Sequence, residues 1–87
     1  MDYIPQRLQY PYMNAIAIKI GKIIRSKREK RGLSQESLAE LSNLNRSYLG
    51  KIERGLAMPS IETLEKISNA FGEKLSELIM KYELNGD

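Results

Sequence analysis

The segment of residues 35–54 constrains the fold of this chain more than any other feature. Its apolar positions fit two short helices that cross at a tight turn, and the inward positions are Leu38, Leu44, Leu49 and Ile52. Ala39 stands where the two helices approach most closely, so a larger side chain there would push them apart. Asn43 occupies the turn, which needs a positive φ that Asn tolerates best after Gly. The segment therefore predicts two tightly crossed helices.

Three further helices are predicted around this pair, which makes the fold class all-α, a compact five-helix domain. Ser34 and Asn45 are good N-caps for the central helices, and Pro59-Ser60 opens the fourth helix. The apolar stripe of the fourth helix contains Ile61, Leu64, Ile67, Ala70 and Phe71. The predicted helices cover residues 15–31, 35–42, 46–54, 61–71 and 75–84. The central spacing is that of a helix-turn-helix unit over residues 35–54.

The composition excludes most catalytic chemistry. The 87 residues contain neither cysteine nor histidine, which removes disulfides, thiol catalysis, the usual metal ligand and the usual general base. The only aspartates, Asp2 and Asp87, stand at the chain ends, so a nuclease with a carboxylate metal cluster is not expected. We predict a protein that is not an enzyme and that needs no cofactor and no metal. The chain lacks the roughly 18 apolar residues of a membrane span and the pattern of a secretory signal, so we expect a cytoplasmic location without a membrane partner.

Charge is distributed unevenly, although the formal net charge is only +3. Residues 1–32 carry eight Lys and Arg against two acidic residues, whereas residues 33–55 carry three of each sign. Residues 56–87 carry three basic and six acidic residues. A basic first third favours a polyanion such as nucleic acid as the partner, and the alternative is a solvated helix face.

The start of the third predicted helix carries the side chains expected to read double-stranded DNA. Arg46 and Ser47 lie in its first turn, and Lys51 follows Ser47 by one turn on the same face. Arg and Lys suit the O6 and N7 acceptors of guanine in the major groove. We therefore predict base contacts by Arg46, Ser47 and Lys51. The alternative is that Arg46 and Lys51 hold phosphates or lie in solvent.

The two ends of the chain are predicted to lie outside the domain of residues 15–84. Residues 1–14 form an extended or disordered arm, because Pro5 and Pro11 remove backbone donors and disfavour helix. The arm either packs on the domain through its tyrosines, reaches along DNA, or precedes a natural start at Met13. We expect the arm to be dispensable, as termini generally are, and residues 85–87 to fray.

Several spaced motifs resemble the lambda-repressor-like, Cro/repressor-type helix-turn-helix family. The matching pieces are Gly21–Ile24-Arg25–Arg28, Gly32-Leu33-Ser34-Gln35, Leu38-Ala39, Ile52-Glu53-Arg54-Gly55, Pro59-Ser60, Leu64 and Leu78. Within the family, residues 44–48 followed by residues 52–55 look most like the controller proteins of restriction–modification systems. Lys27 departs from the family because that place is commonly apolar. Gly50 lies inside a helix, either because a side chain would collide with DNA or because glycine is simply tolerated there.

Further site residues follow from the helix ends and from this resemblance. Phosphate contacts are expected at Ser34, Gln35, Asn45, Tyr48 and Arg54, although Ser34 serves equally well as a cap alone and Tyr48 as a partly packed core residue. The resemblance implies an ion pair between Arg28 and Glu53 that ties the first helix to the third, and the alternative is a surface pair. A dimer interface is expected at Met58, Ile79, Met80 and Leu84. The alternative is that these four are ordinary surface residues.

These features together predict a sequence-specific DNA-binding transcriptional regulator. It would bind a palindromic operator as a homodimer and block or recruit RNA polymerase there. The controller of a restriction–modification operon is the specific role that the resemblance implies. The alternative is an antitoxin or developmental-switch protein that acts mainly through a protein partner, which the acidic, apolar C-terminal part and the tyrosine-rich arm would allow.

Overall fold

A computed structural model describes the backbone of residues 6–85 and the side chains of residues 15–83. Over that range the chain forms five helices and no strand. The helices are α1 (Gln6–Lys30), α2 (Gln35–Leu41), α3 (Arg46–Glu53), α4 (Ile61–Ala70) and α5 (Leu75–Asn85). The predicted all-α, five-helix fold is confirmed. None of these five described helices has both the length and the apolar character required to cross a membrane.

The N-terminal end of α1 differs from the prediction. Residues 6–14 were expected to be extended or disordered, but they belong to the helix, which begins nine residues before Ala15. Pro11 stands in the second turn, where it removes one N–H donor while the residues on either side keep theirs. The expectation of a non-helical arm over residues 6–14 was therefore wrong. Residues 1–5 of the predicted arm and residues 86–87 of the predicted frayed tail lie outside the described residues.

The central helix boundaries follow from their caps and from one special turn. Ser34, Asn45 and Ser60 each accept a hydrogen bond from the backbone N–H three residues ahead, at 3.0, 3.2 and 3.1 Å. These contacts satisfy N–H groups that the first turn of a helix leaves without a partner. Asn43 has a φ of 56°, which is the positive φ that the α2–α3 turn was predicted to need.

All five helices contribute to one hydrophobic core. Its buried members are Ile20, Ile24, Leu38, Ala39, Leu49, Ile52, Leu64, Ile67, Phe71 and Leu78. Leu44 and Ala70 pack at the edge of this core. Ile61 was expected in the same stripe but is 66% exposed. It is the first residue of α4, and the part of α4 that packs against the core begins further along the helix.

Gly21 brings α1 and α3 into direct backbone contact. A methyl group on the Gly21 Cα would lie 2.7 Å from the carbonyl oxygen of Glu53 and would overlap the carbonyl of Ile52. Any side chain at this position would therefore push the two helices apart. The close approach fixes how α3 is placed on the surface of α1.

Candidate nucleic-acid interface

The two faces of α3 have different environments. Leu49 and Ile52 are fully buried in the core, and Glu53 is also buried. The three residues predicted to contact bases, Arg46, Ser47 and Lys51, are all exposed. The structure therefore places them together on the outer surface of a helix whose inner face is anchored.

An ion pair anchors the buried end of α3 to α1. Arg28 donates from Nε to Glu53 Oε2 at 2.7 Å and from Nη2 to Glu53 Oε1 at 3.0 Å. Nη1 of Arg28 also donates to the carbonyl oxygen of Leu33 at 2.8 Å. The Arg28 and Glu53 side chains are only 11% and 2% exposed, so this is the inter-helix pair that the resemblance implied, not a surface pair. The hydrogen bonds that Arg28 donates to the Glu53 carboxylate raise the pKa of Arg28, which keeps the guanidinium charged.

Gln35 connects α2 to the same ion pair, a contact that the sequence did not reveal. Its Nε2 donates to Glu53 Oε1 at 3.0 Å, so one carboxylate oxygen accepts hydrogen bonds from both Arg28 and Gln35. Gln35 was predicted only as a phosphate contact. In the structure it is half-buried, and Glu53 holds its carboxamide group in one orientation. Side chains from three helices thus meet at Glu53.

The other predicted phosphate contacts surround α3 in different settings. The Ser34 hydroxyl accepts from Ser37 N–H at 3.0 Å and donates to Ser37 Oγ at 2.9 Å, so the capping role accounts for its hydrogen bonds. Asn45 accepts through Oδ1, which leaves its NH₂ group as the donor for a ligand. Tyr48 is partly buried against the core, and Arg54 is exposed at the end of α3.

Glu73, in the turn between α4 and α5, forms a second buried ion-pair site with the end of α1 that the sequence did not predict. Its Oε1 lies 2.8 Å from Nζ of Lys27, and its Oε2 lies 3.3 Å from Nη2 of Arg31. The Arg31 guanidinium also lies over the Phe71 ring, 4.6 Å from its centroid. Lys27 therefore occupies its commonly apolar place by pairing with Glu73, and part of the basic run at the end of α1 serves the fold.

The four residues predicted for a dimer interface fall in different places. Met58, Ile79 and Met80 are exposed at 50%, 36% and 55%, whereas the side chain of Leu84 lies outside the described residues. Ile79 lines a mainly apolar depression between α1 and α5, of about 290 Å³. The other residues that line it are Ile16, Ile20, Leu78, Tyr82 and Glu83. Met80 lines a separate depression beside Lys27 and Glu73.

Comparison with known proteins agrees with this geometry. The sequence model of the helix-turn-helix family matches residues 24–78. The control protein C.MunI of Mycoplasma sp is 44% identical over 72 residues, which cover 82% of this chain and 97% of that protein. The crystal structure of the restriction–modification controller protein C.AhdI from Aeromonas hydrophila superposes with a TM-score of 0.71 at 42% identity. That match covers 74% of this chain and 97% of C.AhdI.

A longer regulator is also similar to this chain. The immunity repressor protein of Bacillus phage phi105 is 43% identical over 60 residues, which cover 69% of this chain. The match spans 42% of that repressor's length. The family match and the two relatives of similar length confirm the resemblance drawn from the motifs. The chain belongs to the helix-turn-helix family of Cro/repressor-type transcriptional regulators.

Proposed function

We propose that this regulator reads a specific double-stranded DNA operator with the exposed face of α3. The observation that carries the proposal is the placement of Arg46, Ser47 and Lys51 on the outer face of a helix whose inner face is fixed by the core and by Glu53. Arg and Lys donate to guanine O6 and N7, and the serine hydroxyl both donates and accepts. A fixed helix keeps these groups in register with the base edges.

Contacts with the DNA backbone would set the position of α3 in the groove. Gln35, Asn45 and Arg54 each have donor groups near one end of α2 or α3. Ser34 precedes Gln35, and Tyr48 lies in the first turn of α3. Such contacts orient a protein on the duplex without reading its sequence. The basic residues of α1 that remain exposed, including Lys22 and Arg25, add general attraction to DNA.

We further propose that the chain acts as a homodimer on a palindromic operator. A two-fold dimer would place its two recognition helices about 34–36 Å apart, matching one turn of the duplex. Ile79 and its apolar depression between α1 and α5 are the face that supports self-association, with Met58, Met80 and Leu84 as the other predicted contacts. The relatives named as control proteins match nearly their whole length here, which supports the role of a restriction–modification controller. Such a controller would block or recruit RNA polymerase at its operator.

Selection of bound sequences from a random duplex pool tests the DNA-reading proposal. We expect enrichment of a two-fold symmetric site whose half-sites are about one helical turn apart. The matched control carries Arg46→Ala, Ser47→Ala and Lys51→Ala together, because these exposed changes leave the core intact. The control should fold with the same helical signal and enrich no site. The proposal would be contradicted if the duplexes bound by the native chain had the same sequence composition as the starting pool.

Sedimentation of two variants of adjacent residues tests the dimer. Ile79→Glu puts a charge into the apolar depression between α1 and α5, whereas Met80→Glu puts the same charge on the neighbouring depression. We expect Ile79→Glu to sediment as a monomer and to lose affinity for the palindromic site. A monomeric native chain at every concentration would rule out the homodimer. Dissociation by Met80→Glu alone would move the interface to the other side of α5.

A further inference from the structure

Gly50 lies in the middle of α3, yet its Cα is covered by side chains. The residue is buried, although Lys51 beside it is exposed. A methyl group on Gly50 would lie 3.2 Å from Nη1 of Arg54 and 3.7 Å from Oε1 of Gln35. Both atoms therefore border the space that a side chain at this position would fill. We call this space the Gly50 notch.

The two side-chain groups that border the Gly50 notch are electrostatically complementary. Gln35 donates from Nε2 to Glu53 at 3.0 Å, so its carbonyl end, Oε1, is the part left to face the notch. The Arg54 guanidinium also borders the notch and is a cation with several N–H donors. A partial negative charge thus stands beside a positive charge. Neither a collision with DNA nor simple tolerance is needed to explain the glycine.

We infer that Gly50 is a positioning residue, which lets the Arg54 guanidinium lie along α3 beside Gln35 so that the two meet one stretch of DNA backbone together. This inference rests on the proposed DNA-binding function. The guanidinium can direct its remaining donors to phosphate oxygens while one edge faces Gln35. A side chain that is already ordered loses less freedom on binding, and that difference corresponds to about a 2- to 10-fold change in affinity.

The first test needs no DNA. The Gly50→Ala variant adds a methyl group that the guanidinium can accommodate only by moving a few tenths of an ångström. Nitrogen-15 relaxation at Nε of Arg54 should therefore show a less ordered side chain in Gly50→Ala than in the native chain. Nε of Arg46 serves as the internal control, because Arg46 does not border the notch, and its order should not change. Equal order of Arg54 in both proteins would overturn the inference.

The second test is a double-mutant cycle on the selected duplex. We expect Gly50→Ala to weaken binding about 2- to 10-fold while its melting temperature stays the same or rises, since alanine favours helix over glycine. Arg54→Ala should weaken binding and reduce the salt dependence by about one phosphate contact. The double variant should bind no more weakly than Arg54→Ala alone.

The outcomes separate the inference from the function beneath it. The positioning role would be overturned if the affinity losses of the two single variants multiplied in the double variant. It would also be overturned if Gly50→Ala bound DNA as tightly as the native chain. Either result would leave the proposed DNA binding intact. Failure of the native chain to prefer any duplex would instead overturn the proposed function, and with it the shared backbone contact. In that case the relaxation comparison still decides whether Gly50 orders Arg54.

Discussion

Both terminal oxygens of Glu53 accept hydrogen bonds from Arg28, at 2.7 and 3.0 Å, across the interface between α1 and α3. Because the Glu53 side chain is 2% exposed and that of Arg28 11%, Glu53→Gln would leave a mostly buried Arg28 charge without its counterion. We expect this change to lower the free energy of unfolding by about 3–5 kcal/mol, as measured by urea denaturation.

The exposed Arg25–Glu29 pair supplies the matched control. Its side chains are 62% and 54% exposed, so Glu29→Gln should lower the free energy of unfolding by less than about 1 kcal/mol. Equal losses for Glu53→Gln and Glu29→Gln would show that the α1–α3 pair behaves as a surface pair.

The Glu73 ion pairs should stabilise the far end of α1. Glu73→Gln removes the counterion of Lys27 and Arg31, and we expect a loss of about 1.5–3 kcal/mol in the free energy of unfolding. Because the Glu73 side chain is 10% exposed, the loss should persist at 1 M salt, where exposed pairs are screened. Urea denaturation at low and high salt checks both points, and a loss that vanishes in salt would contradict the buried assignment.

Adding one methyl group should destabilise the fold at one helical glycine and not at another. Gly21→Ala forces a carbon against the carbonyl oxygens of α3, and we expect it to destabilise the fold by about 1–3 kcal/mol despite the better helix propensity of alanine. Gly50→Ala meets only the ends of two side chains and should leave stability equal or higher. Thermal melts of the two variants compare these signs directly. A Gly21→Ala variant that melts at the same temperature as the native chain would show that α1 and α3 can move apart to admit the methyl group without a loss of stability.

Arg46 and Gln35 should differ in what their loss does to DNA binding. Arg46→Ala removes a predicted base contact, so affinity for the selected site should fall by about 1–3 kcal/mol while affinity for random duplex changes little. Gln35→Ala removes a predicted contact with the DNA backbone and should weaken binding to both duplexes to a similar extent. Titrations of both duplexes at fixed salt measure these ratios. If Arg46→Ala left the ratio of the two affinities unchanged, Arg46 would be a backbone contact and not a reader of bases.

Local signals in the sequence predicted much of the fold. The caps at Ser34 and Asn45 and the positive φ at Asn43 depend on residues within three positions of each other, and all three are present. The arm was mispredicted because a local rule about proline was applied to Pro11, whereas helix formation depends on the whole segment. Ile61 matched the helical period but stood too early in α4 to reach the core.

The long-range polar contacts could not be found in the same way. Lys27 and Glu73 are far apart in the sequence; Lys27 belongs to a run of charges that also fits a solvated face, and Glu73 stands in a turn. The Gln35–Glu53 hydrogen bond and the setting of Gly50 depend on the crossing of α2 and α3, which fixes distances that no residue spacing reveals. Only the Arg28–Glu53 pair was anticipated, because the family resemblance supplied both partners.

The attachment of α3 by one face also has an evolutionary consequence. Among the described residues, Arg46, Ser47 and Lys51 enter none of the ion pairs and none of the core contacts that hold the helix. Mutations at these three places are therefore free of the stability losses that constrain the rest of α3. Under the proposed function, substitutions at these three places would change the operator while the contacts that hold α3 on the rest of the fold stay in place.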